Sequence, residues 1–192
     1  EEIIQCLEYA RSQGAITMCT PWDISSVAAL AEFEVDAIKI ASADLTNHPL
    51  IEAAARTGIH LILSTGMSTE EEIKESVHLL TQWPIPFALL HCNSAYPPAD
   101  KDINLRYLAR LANIGDCLVG YSGHERGIHI PVAAVALGAR IIEKHITLDR
   151  SMRGNDHKIS LEPTSFRDMC RAIRSCESAL GTDNVRRLTQ GE

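Results

Sequence analysis

The stretches Gly120-Tyr-Ser-Gly-His124-Glu-Arg-Gly127 and Ile142-Glu-Lys-His145-Ile-Thr-Leu-Asp149 decide the fold class of this chain. Each continues a short apolar run that predicts a β-strand, and each places a histidine at or just past the strand end. In parallel α/β proteins, catalytic residues collect at the carboxyl ends of strands. Two imidazoles on neighbouring strand ends could share one divalent metal ion. The sequence therefore favours an enzyme.

The same alternation of strand and helix runs through the whole chain. Strands are predicted at six apolar runs: Ala15–Cys19, Ala37–Ala41, His60–Ser64, Phe87–His91, Cys117–Gly120 and Arg140–His145. The runs are almost continuously apolar, as expected for a parallel sheet covered by helices. Such a series of βα units suits either a doubly wound sheet or a TIM barrel.

Helix boundaries are marked between these strands. Asn47 is expected to cap a helix that ends at Gly58. Ser68 and Glu71 predict a capping box at the start of the following helix. The last helix is expected to stop at Gly181.

The position of the polar residues decides between the two folds, because candidate functional side chains follow every predicted strand. A doubly wound sheet concentrates its site at one switch point, whereas a barrel draws on all of its strand ends. We therefore predict an α/β fold of the (β/α)8 TIM-barrel type. With about six βα units, the chain is interpreted as a partial barrel that lacks the first two strands. It is expected to form a single domain over residues 1–192.

Charge and composition argue against several classes of partner. The chain has 18 Lys and Arg against 25 Asp and Glu, a net charge of −7, and its basic residues are scattered, so nucleic acid is not expected to bind. No apolar run is long enough to span a membrane, and no signal peptide is visible. The six cysteines form no CxxC pair, so they are interpreted as reduced, buried thiols of a cytoplasmic protein.

The two histidines leave open which metal would bind. Two nitrogen ligands without a nearby cysteine do not make a closed structural zinc site. An open octahedral Mn²⁺ or Mg²⁺, completed by water and substrate oxygens, fits His124 and His145 better. The alternative is that each imidazole is a hydrogen-bonded structural residue.

Lys39 is a cation inside an otherwise apolar strand. An ammonium group buried without an anion is costly, so it requires a partner. That partner is either a carboxylate such as that of Glu143 or the phosphate or carboxylate of a ligand. The segment Ser64-Thr-Gly-Met67 joins a strand to a helix start, where hydroxyls and free N–H groups can hold an anion.

Other charged residues point less clearly to function. Asp44 and Asp156 are candidates for acid–base chemistry or sugar binding, with ordinary surface carboxylates as the alternative. Lys144, Arg150 and Arg153 are interpreted as a solvated charge cluster.

A set of motifs runs in order along nearly the whole chain. They are Thr20-Pro21, Lys39-Ile-Ala-Ser-Ala-Asp44, Leu63-Ser-Thr-Gly-Met67, His91-Cys-Asn-Ser-Ala-Tyr-Pro97, Asn104-Leu-Arg106, Gly120-Tyr-Ser-Gly-His124, Ala133-Ala-Val-Ala-Leu-Gly-Ala139, Glu143-Lys-His145, Thr147-Leu-Asp-Arg150, Gly154-Asn-Asp-His157 and Ser160-Leu-Glu-Pro163. On these motifs, the chain resembles the catalytic barrel of the sialic acid synthase family, which comprises N-acetylneuraminate synthase and its relatives.

The resemblance implies a transferase that condenses phosphoenolpyruvate with an N-acetylmannosamine-type sugar, giving a nine-carbon 2-keto acid and phosphate. It implies a divalent metal, Mn²⁺ or Mg²⁺, held by His124 and His145, which polarises the sugar aldehyde. Asp44 and Asp156 would contact the sugar, and catalytic roles would fall to Asp44, Lys39 and Tyr96. Phosphoenolpyruvate would be held by Thr20, Lys39, Ser42, Ser64, Ser94, Tyr96 and Ser122.

Several parts of the family pattern differ or are missing. Ser94 and Gly123 stand where some bacterial members carry Asn and Asp. The resemblance implies that the family's first two barrel strands and its C-terminal antifreeze-like domain lie outside this sequence, together with the Glu, Lys and Arg that they contribute to the site. The chain alone is therefore expected to have an incomplete active site, and the full-length parent is expected to be a homodimer.

The sugar and two alternative functions stay open. N-acetylmannosamine, its 6-phosphate and the diacetamido precursors of legionaminic or pseudaminic acid are all compatible with the motifs. The alternatives to a synthase are a metal-dependent TIM-barrel hydrolase or aldolase and a catalytically inactive truncated barrel.

Overall fold

The computed structural model describes residues 2–185 and 188, which form one parallel sheet with helices on its outer face. The strands are β1 (Met18–Cys19), β2 (Ala37–Ile40), β3 (His60–Ser64), β4 (Phe87–Cys92), β5 (Leu118–Gly123) and β6 (Ile141–Lys144). The helices are α1 (Glu2–Ser12), α2 (Ile24–Glu32), α3 (His48–Arg56), α4 (Glu70–Leu80), α5 (Tyr107–Gly115), α6 (His129–Ala136) and α7 (Pro163–Leu180). Short 3₁₀ turns occupy Ser42–Asp44, Asp100–Asp102 and Asp156–Lys158.

The sheet is curled into part of a barrel. Its strand order is β1-β2-β3-β4-β5-β6 and every pairing is parallel. In a flat sheet, β2 and β6 would lie about 19 Å apart, four strand spacings. The Nζ of Lys39 on β2 nevertheless lies 3.6 Å from the Oε2 of Glu143 on β6, which requires the sheet to curl.

The strand order confirms the predicted barrel type over the doubly wound alternative, because a doubly wound order reverses at its switch point. Six strands are present, as predicted. Within the described part of the chain, β1 and β6 each have one strand neighbour. A barrel of the TIM type closes with eight strands, so two more would fit between these edges.

Strand boundaries follow the predicted runs with local differences. The prediction for β3 is met at both ends, whereas the prediction of a strand from Ala15 is wrong, since only Met18–Cys19 pairs with β2. Strand β5 extends beyond the predicted Gly120 to Gly123. The glycines in this segment are not typical of a strand, although β5 continues as far as the residue before His124.

The hydrophobic core lies between the outer face of the sheet and the helices. Alternate strand residues such as Ile40, Leu63 and Tyr121 are almost completely buried there. They pack in the same cluster as the inward-facing residues of the helices, among them Leu50 and Leu80. Burying apolar surface in this layer is the main force that holds the helices on the sheet, and it leaves the inner face of the sheet available for polar residues.

Helix boundaries agree with the predictions in two cases and differ in one. Asn47 caps α3 by accepting a hydrogen bond from the N–H of Leu50, and α7 ends at Gly181 as expected. The predicted capping box of Ser68 and Glu71 is wrong by one residue, because Thr69 caps α4 and Glu72 reciprocates. Both registers satisfy the same sequence pattern, so the pattern alone could not choose between them.

The predictions about membrane spans, cysteines and domain boundaries have different outcomes. None of the described helices is long and apolar enough to cross a bilayer. All six cysteines are free, but only Cys92 is buried, so the prediction of generally buried thiols is wrong. The prediction of a single domain over 1–192 includes residues 1, 186, 187 and 189–192, which lie outside the described residues.

Replacing Thr69 with alanine should destabilise the protein, because the side chain of Thr69 satisfies an otherwise free N–H at the start of α4. We expect the Thr69→Ala variant to lose about 1 kcal/mol of unfolding free energy in urea titrations. The Ser68→Ala variant is the matched control and should change by less than about 0.5 kcal/mol. The opposite ranking of the two variants would contradict the observed capping register.

Candidate active site

A cavity of about 500 Å³ opens at the carboxyl ends of the strands, inside the curl of the sheet. All the predicted site residues except one line it, and they come from every strand end and the loops that follow. These residues are Thr20, Lys39, Ser42, Ser64, Ser94, Tyr96, Ser122, His124, His145 and Asp156. The structure therefore brings the predicted phosphoenolpyruvate and metal residues together in one place.

The strand register explains which side chains reach the cavity. Side chains alternate between the two faces of a strand, and residues paired across parallel strands share a face. Cys92, Ser122 and Glu143 are aligned in this way on β4, β5 and β6, and all three line the cavity. The hydroxyl of Ser122 donates a hydrogen bond of 2.7 Å to the carboxylate of Glu143.

Lys39 is 6 % exposed, and both of the partners predicted for it are compatible with its position. Its ammonium group pairs with Glu143 at 3.6 Å and donates a hydrogen bond to the carbonyl oxygen of Ile40. Burial lowers the pKa of Lys39, and the carboxylate of Glu143 opposes this shift. The internal salt bridge is thus confirmed, while the same side chain also forms part of the cavity wall.

Ser64, at the end of β3, is the clearest sign that the cavity is built for a ligand. Its side chain is 98 % buried, and its Oγ has no hydrogen-bond partner among the described residues. A buried hydroxyl without a partner costs free energy. Such a group is expected to be satisfied by a water, an ion or an incoming ligand, and its position in the cavity wall is compatible with a binding site.

The rings of His124 and His145 meet at a centroid separation of 5.2 Å and an angle of 78°. The Nδ1–H of His124 donates a hydrogen bond of 2.8 Å to the carbonyl of Asn93. This bond fixes the tautomer and leaves the lone pair of Nε2 free for a metal ion. The ring of Tyr96 stacks on His124 at 4.0 Å, which restricts its rotation.

The titration behaviour of the two imidazoles differs. Burial, together with the neighbouring His124, lowers the pKa of His145 below its ordinary value, which favours the neutral ring that binds metals. Burial also acts to lower the pKa of His124, but its contacts with Cys92 and Asn93 outweigh burial and raise it. Burial and nearby negative groups raise the pKa of Tyr96, so its phenol stays a hydrogen-bond donor near neutral pH.

The donor set fits an open divalent metal site better than a closed one. Over residues 2–185 and 188, no group of three or more His, Cys, Asp or Glu is arranged to hold a metal ion. The two imidazoles would therefore supply two ligands and leave the remaining positions to water, substrate or other parts of the protein. This pattern suits a catalytic ion rather than a structural one.

The two candidate carboxylates are placed differently. Asp156 lines the cavity, and one of its oxygens lies 3.7 Å from Nδ1 of His145. Asp44 does not line it; its carboxylate accepts a hydrogen bond from the side chain of Asn47. The structure thus supports the position of Asp156 at the site but does not bring Asp44 into it.

The interpretation of Lys144 as a member of a solvated charge cluster is wrong. Its side chain is 0 % exposed and pairs with the carboxylate of Glu125 at 2.7 Å, a group that is itself only 2 % exposed. Lys144 is the alternation neighbour of Glu143 on β6, so it points away from the cavity into the packed outer layer. A charged residue at the end of a strand resembles a surface residue in sequence, and only its partner Glu125, in the loop after β5, reveals that it is buried.

Several residues that line the cavity were not singled out in the sequence. Cys92, Trp22 and Met67 belong to its wall or mouth, and Glu143 was considered only as a partner of Lys39. The two-residue alternation back from Ser94 would have identified Cys92 as facing the cavity. No comparable signal marks Trp22 and Met67, because they lie in loops without a fixed period.

Together, the curled parallel sheet and the strand-end cavity define a barrel-type α/β protein with a polar cavity at the carboxyl ends of its strands. The profile of the NeuB family matches residues 1–185 of the chain. The chain belongs to the NeuB family.

Three relatives illustrate the similarity. The N,N'-diacetyllegionaminic acid synthase of Campylobacter jejuni is 40 % identical over 96 % of this chain and 56 % of its own length. The human N-acetylneuraminate-9-phosphate synthase is 39 % identical over 91 % of this chain and 49 % of its own. The crystal structure of the N-acetylneuraminic acid synthetase of Leptospira borgpetersenii, in complex with citrate, superimposes with a TM-score of 0.93 at 37 % identity, covering 97 % of this chain and 66 % of that one. The chain thus spans about half the length of the curated relatives it matches.

Removing the hydroxyl of Ser64 should leave stability unchanged or slightly raised, because no hydrogen bond is lost. Ser76 is the matched control: it is equally buried, but its hydroxyl donates a 2.6 Å bond to the carbonyl of Leu45. We expect the Ser76→Ala variant to lose about 1–3 kcal/mol of unfolding free energy. An equal loss in the Ser64→Ala variant would show that the hydroxyl of Ser64 is satisfied within the folded protein.

Proposed function

We propose that the protein containing this chain condenses phosphoenolpyruvate with an N-acetylated amino sugar of the mannosamine type, releasing phosphate and a nine-carbon 2-keto acid. The observation that carries the proposal is the cavity in which the unpartnered hydroxyl of Ser64 and the buried Lys39 lie beside His124 and His145. This combination suits a phosphorylated anion next to a divalent metal. The relatives named as synthases of N-acetylneuraminate 9-phosphate and diacetyllegionaminic acid support the proposal.

Phosphoenolpyruvate carries a phosphate and a carboxylate, so its site must supply several donors. Lys39 would neutralise part of its charge, and the hydroxyls of Ser42 and Ser64 would donate to its oxygens. The hydroxyl of Ser122, which now donates to Glu143, would turn towards the ligand. Thr20, Ser94 and Tyr96 line the same wall and would complete the set of donors.

A divalent ion, Mn²⁺ or Mg²⁺, would be held by His124 and His145. When bound, such an ion supplies Lewis-acid activation of a carbonyl oxygen. The chain's own contribution is to hold the imidazoles in place: the carbonyl of Asn93 fixes the tautomer of His124, and the ring of Tyr96 limits its orientation.

In the proposed reaction, C3 of phosphoenolpyruvate bonds to the aldehyde carbon of the open-chain sugar, and water adds at C2. The bond between C2 and the bridging oxygen then breaks and phosphate leaves with that oxygen. The oxygen of the added water becomes the ketone oxygen at C2, and the former aldehyde oxygen takes up a proton to become a hydroxyl, so one water is consumed and the 2-keto acid forms. Asp156 would contact the sugar from the cavity wall. Asp44 would contact the sugar and relay a proton; one of its carboxylate oxygens accepts from the amide of Asn47, and the other would be available for this role. The phenol of Tyr96, kept protonated by its raised pKa, is a suitable donor.

The choice of sugar stays open among N-acetylmannosamine, its 6-phosphate and diacetamido sugars, since the two relatives differ in the products that their names state. The proposal also includes a cytoplasmic location and a homodimeric full-length protein.

A Schiff-base aldolase is the second candidate, because one observation favours it. Lys39 lines the cavity, and burial lowers its pKa although the carboxylate of Glu143 opposes this shift. A lower pKa eases loss of the proton that an amine must lose before it attacks a carbonyl. Borohydride would trap such an aldolase covalently on Lys39 in the presence of its substrate. The proposed synthase forms no bond to Lys39 and would not be trapped.

The proposal is tested by phosphate release from phosphoenolpyruvate in the complete natural protein, with Mn²⁺ and a panel of N-acetylated amino sugars. We expect release only when the correct sugar is present. The Lys39→Met variant should raise the KM for phosphoenolpyruvate about 10- to 100-fold, because a charged hydrogen bond is lost. Release that does not depend on any sugar, or no release in a folded protein, would contradict the proposal; the second result would favour an inactive barrel.

The metal assignment is tested with the His124→Ala and His145→Ala variants of the same protein. Each should lose more than about a hundredfold in Mn²⁺ affinity and turnover, since removal of a ligand costs more than removal of its supporting partner. His78, exposed on α4, provides the control: the His78→Ala variant should match the unmodified protein. Unchanged Mn²⁺ binding in either variant would show that the substituted histidine is not a metal ligand and has only a structural role.

A further inference from the structure

A buried charged network lies directly behind the two histidines. Glu125 follows His124 in the chain, and Lys144 precedes His145. The Nζ of Lys144 lies 2.7 Å from Oε1 of Glu125 and also donates to the backbone carbonyl oxygen of Glu125. The phenol of Tyr121 donates a 2.5 Å hydrogen bond to the other carboxylate oxygen. All three side chains are at least 98 % buried.

Burying charged side chains contributes little to the stability of a fold, because their desolvation costs free energy. Each buried ion loses its hydration, and a well-packed apolar pair at the same place is often as stable or more stable. The surrounding layer is apolar, with Tyr121 itself a member of the main core cluster. The gain from Glu125 and Lys144 is therefore expected to lie in fixed geometry rather than in stability.

The backbone ladder between β5 and β6 ends just before the two imidazoles. The last register pair is Gly123 with Lys144. His124 and His145 each lie one residue beyond a strand end, so no ladder hydrogen bond sets their separation. The Glu125–Lys144 pair joins the two chain segments at this point and takes over that role on the outer face of the sheet.

Gly123 supplies an independent observation of how tightly the network is packed. A Cβ atom at this position would lie 2.7 Å from Oε2 of Glu125 and 2.7 Å from the ring of Tyr121. The φ angle of Gly123 is not in the left-handed region, so backbone conformation does not demand glycine. Glycine is required instead because the network leaves no space for a Cβ atom at this position.

We propose that Tyr121, Glu125 and Lys144 form a positioning network that sets the separation and orientation of His124 and His145 and thereby the affinity for the divalent metal. The inference rests on the metal site of the proposed function. It adds three positioning residues on the opposite face of the sheet from the cavity. None of the three lines the cavity.

The test compares Mn²⁺ binding in the complete protein and in the double variant Glu125→Gln with Lys144→Met, which removes both charges but keeps the side-chain volumes. We expect the double variant to fold with an unchanged or higher thermal midpoint, because no unpaired charge is left. Its dissociation constant for Mn²⁺ should rise at least tenfold, and the electron paramagnetic resonance spectrum of the bound ion should broaden. The exposed pair Arg174 and Glu177, joined at 2.6 Å on α7, is the control when changed to Met and Gln.

The outcomes separate the inference from the function on which it rests. If the unmodified protein binds Mn²⁺ and the double variant binds it equally well with the same spectrum, the network is merely structural and the inference is wrong. If the unmodified protein binds no Mn²⁺, both the metal site and its positioning network are overturned. Should the double variant fail to fold, Tyr121→Phe removes only one hydroxyl; it is expected to weaken Mn²⁺ binding about threefold, and an unchanged affinity would equally overturn the inference.

Discussion

The rest of the structure depends on one constraint, the two-residue alternation of side chains along six parallel strands that curl in one direction. One set of alternate residues packs against the helices, and the other faces the inside of the curl. On β6, Glu143 faces the cavity while Lys144 faces the outer layer. A shift of one residue in the register of this strand would exchange the two and destroy both the core and the cavity.

This constraint places an ion pair on each face of β6. Inside the curl, Lys39 and Glu143 lie 3.6 Å apart and contact a cavity that is open to ligands. On the outer face, Lys144 and Glu125 lie 2.7 Å apart and are sealed from solvent. The first pair can exchange partners when a charged ligand enters, whereas the second cannot without unpacking the core. The ion pair that can exchange partners and the ion pair that cannot thus lie on opposite faces of the same strand.

The sequence allowed the barrel type, most strands and ten cavity residues to be predicted, because each follows a strand end in a continuous βα series. Features that depend on tertiary partners could not be predicted. Thr69 rather than Ser68 caps α4, although Ser68 with Glu71 and Thr69 with Glu72 both satisfy the local capping-box pattern. Lys144 looked solvated because its partner Glu125 lies 19 residues away. The resemblance places Asp44 at the site, but in the structure Asp44 does not line the cavity and accepts a hydrogen bond from Asn47.

The balance of charges inside the cavity gives a reason why an anionic ligand would need a metal ion in order to bind. Within the part of the chain that the structure describes, Lys39 is the one Lys or Arg lining the cavity. Its charge is already balanced by Glu143, and Asp156 adds a further negative group at the wall. A ligand that carries both a phosphate and a carboxylate would enter a site with no excess of positive charge, and in a partly buried cavity such repulsion is weakly screened. Two further positive charges from a divalent ion at His124 and His145 would reverse that balance, and so the anion site and the metal site are expected to depend on each other.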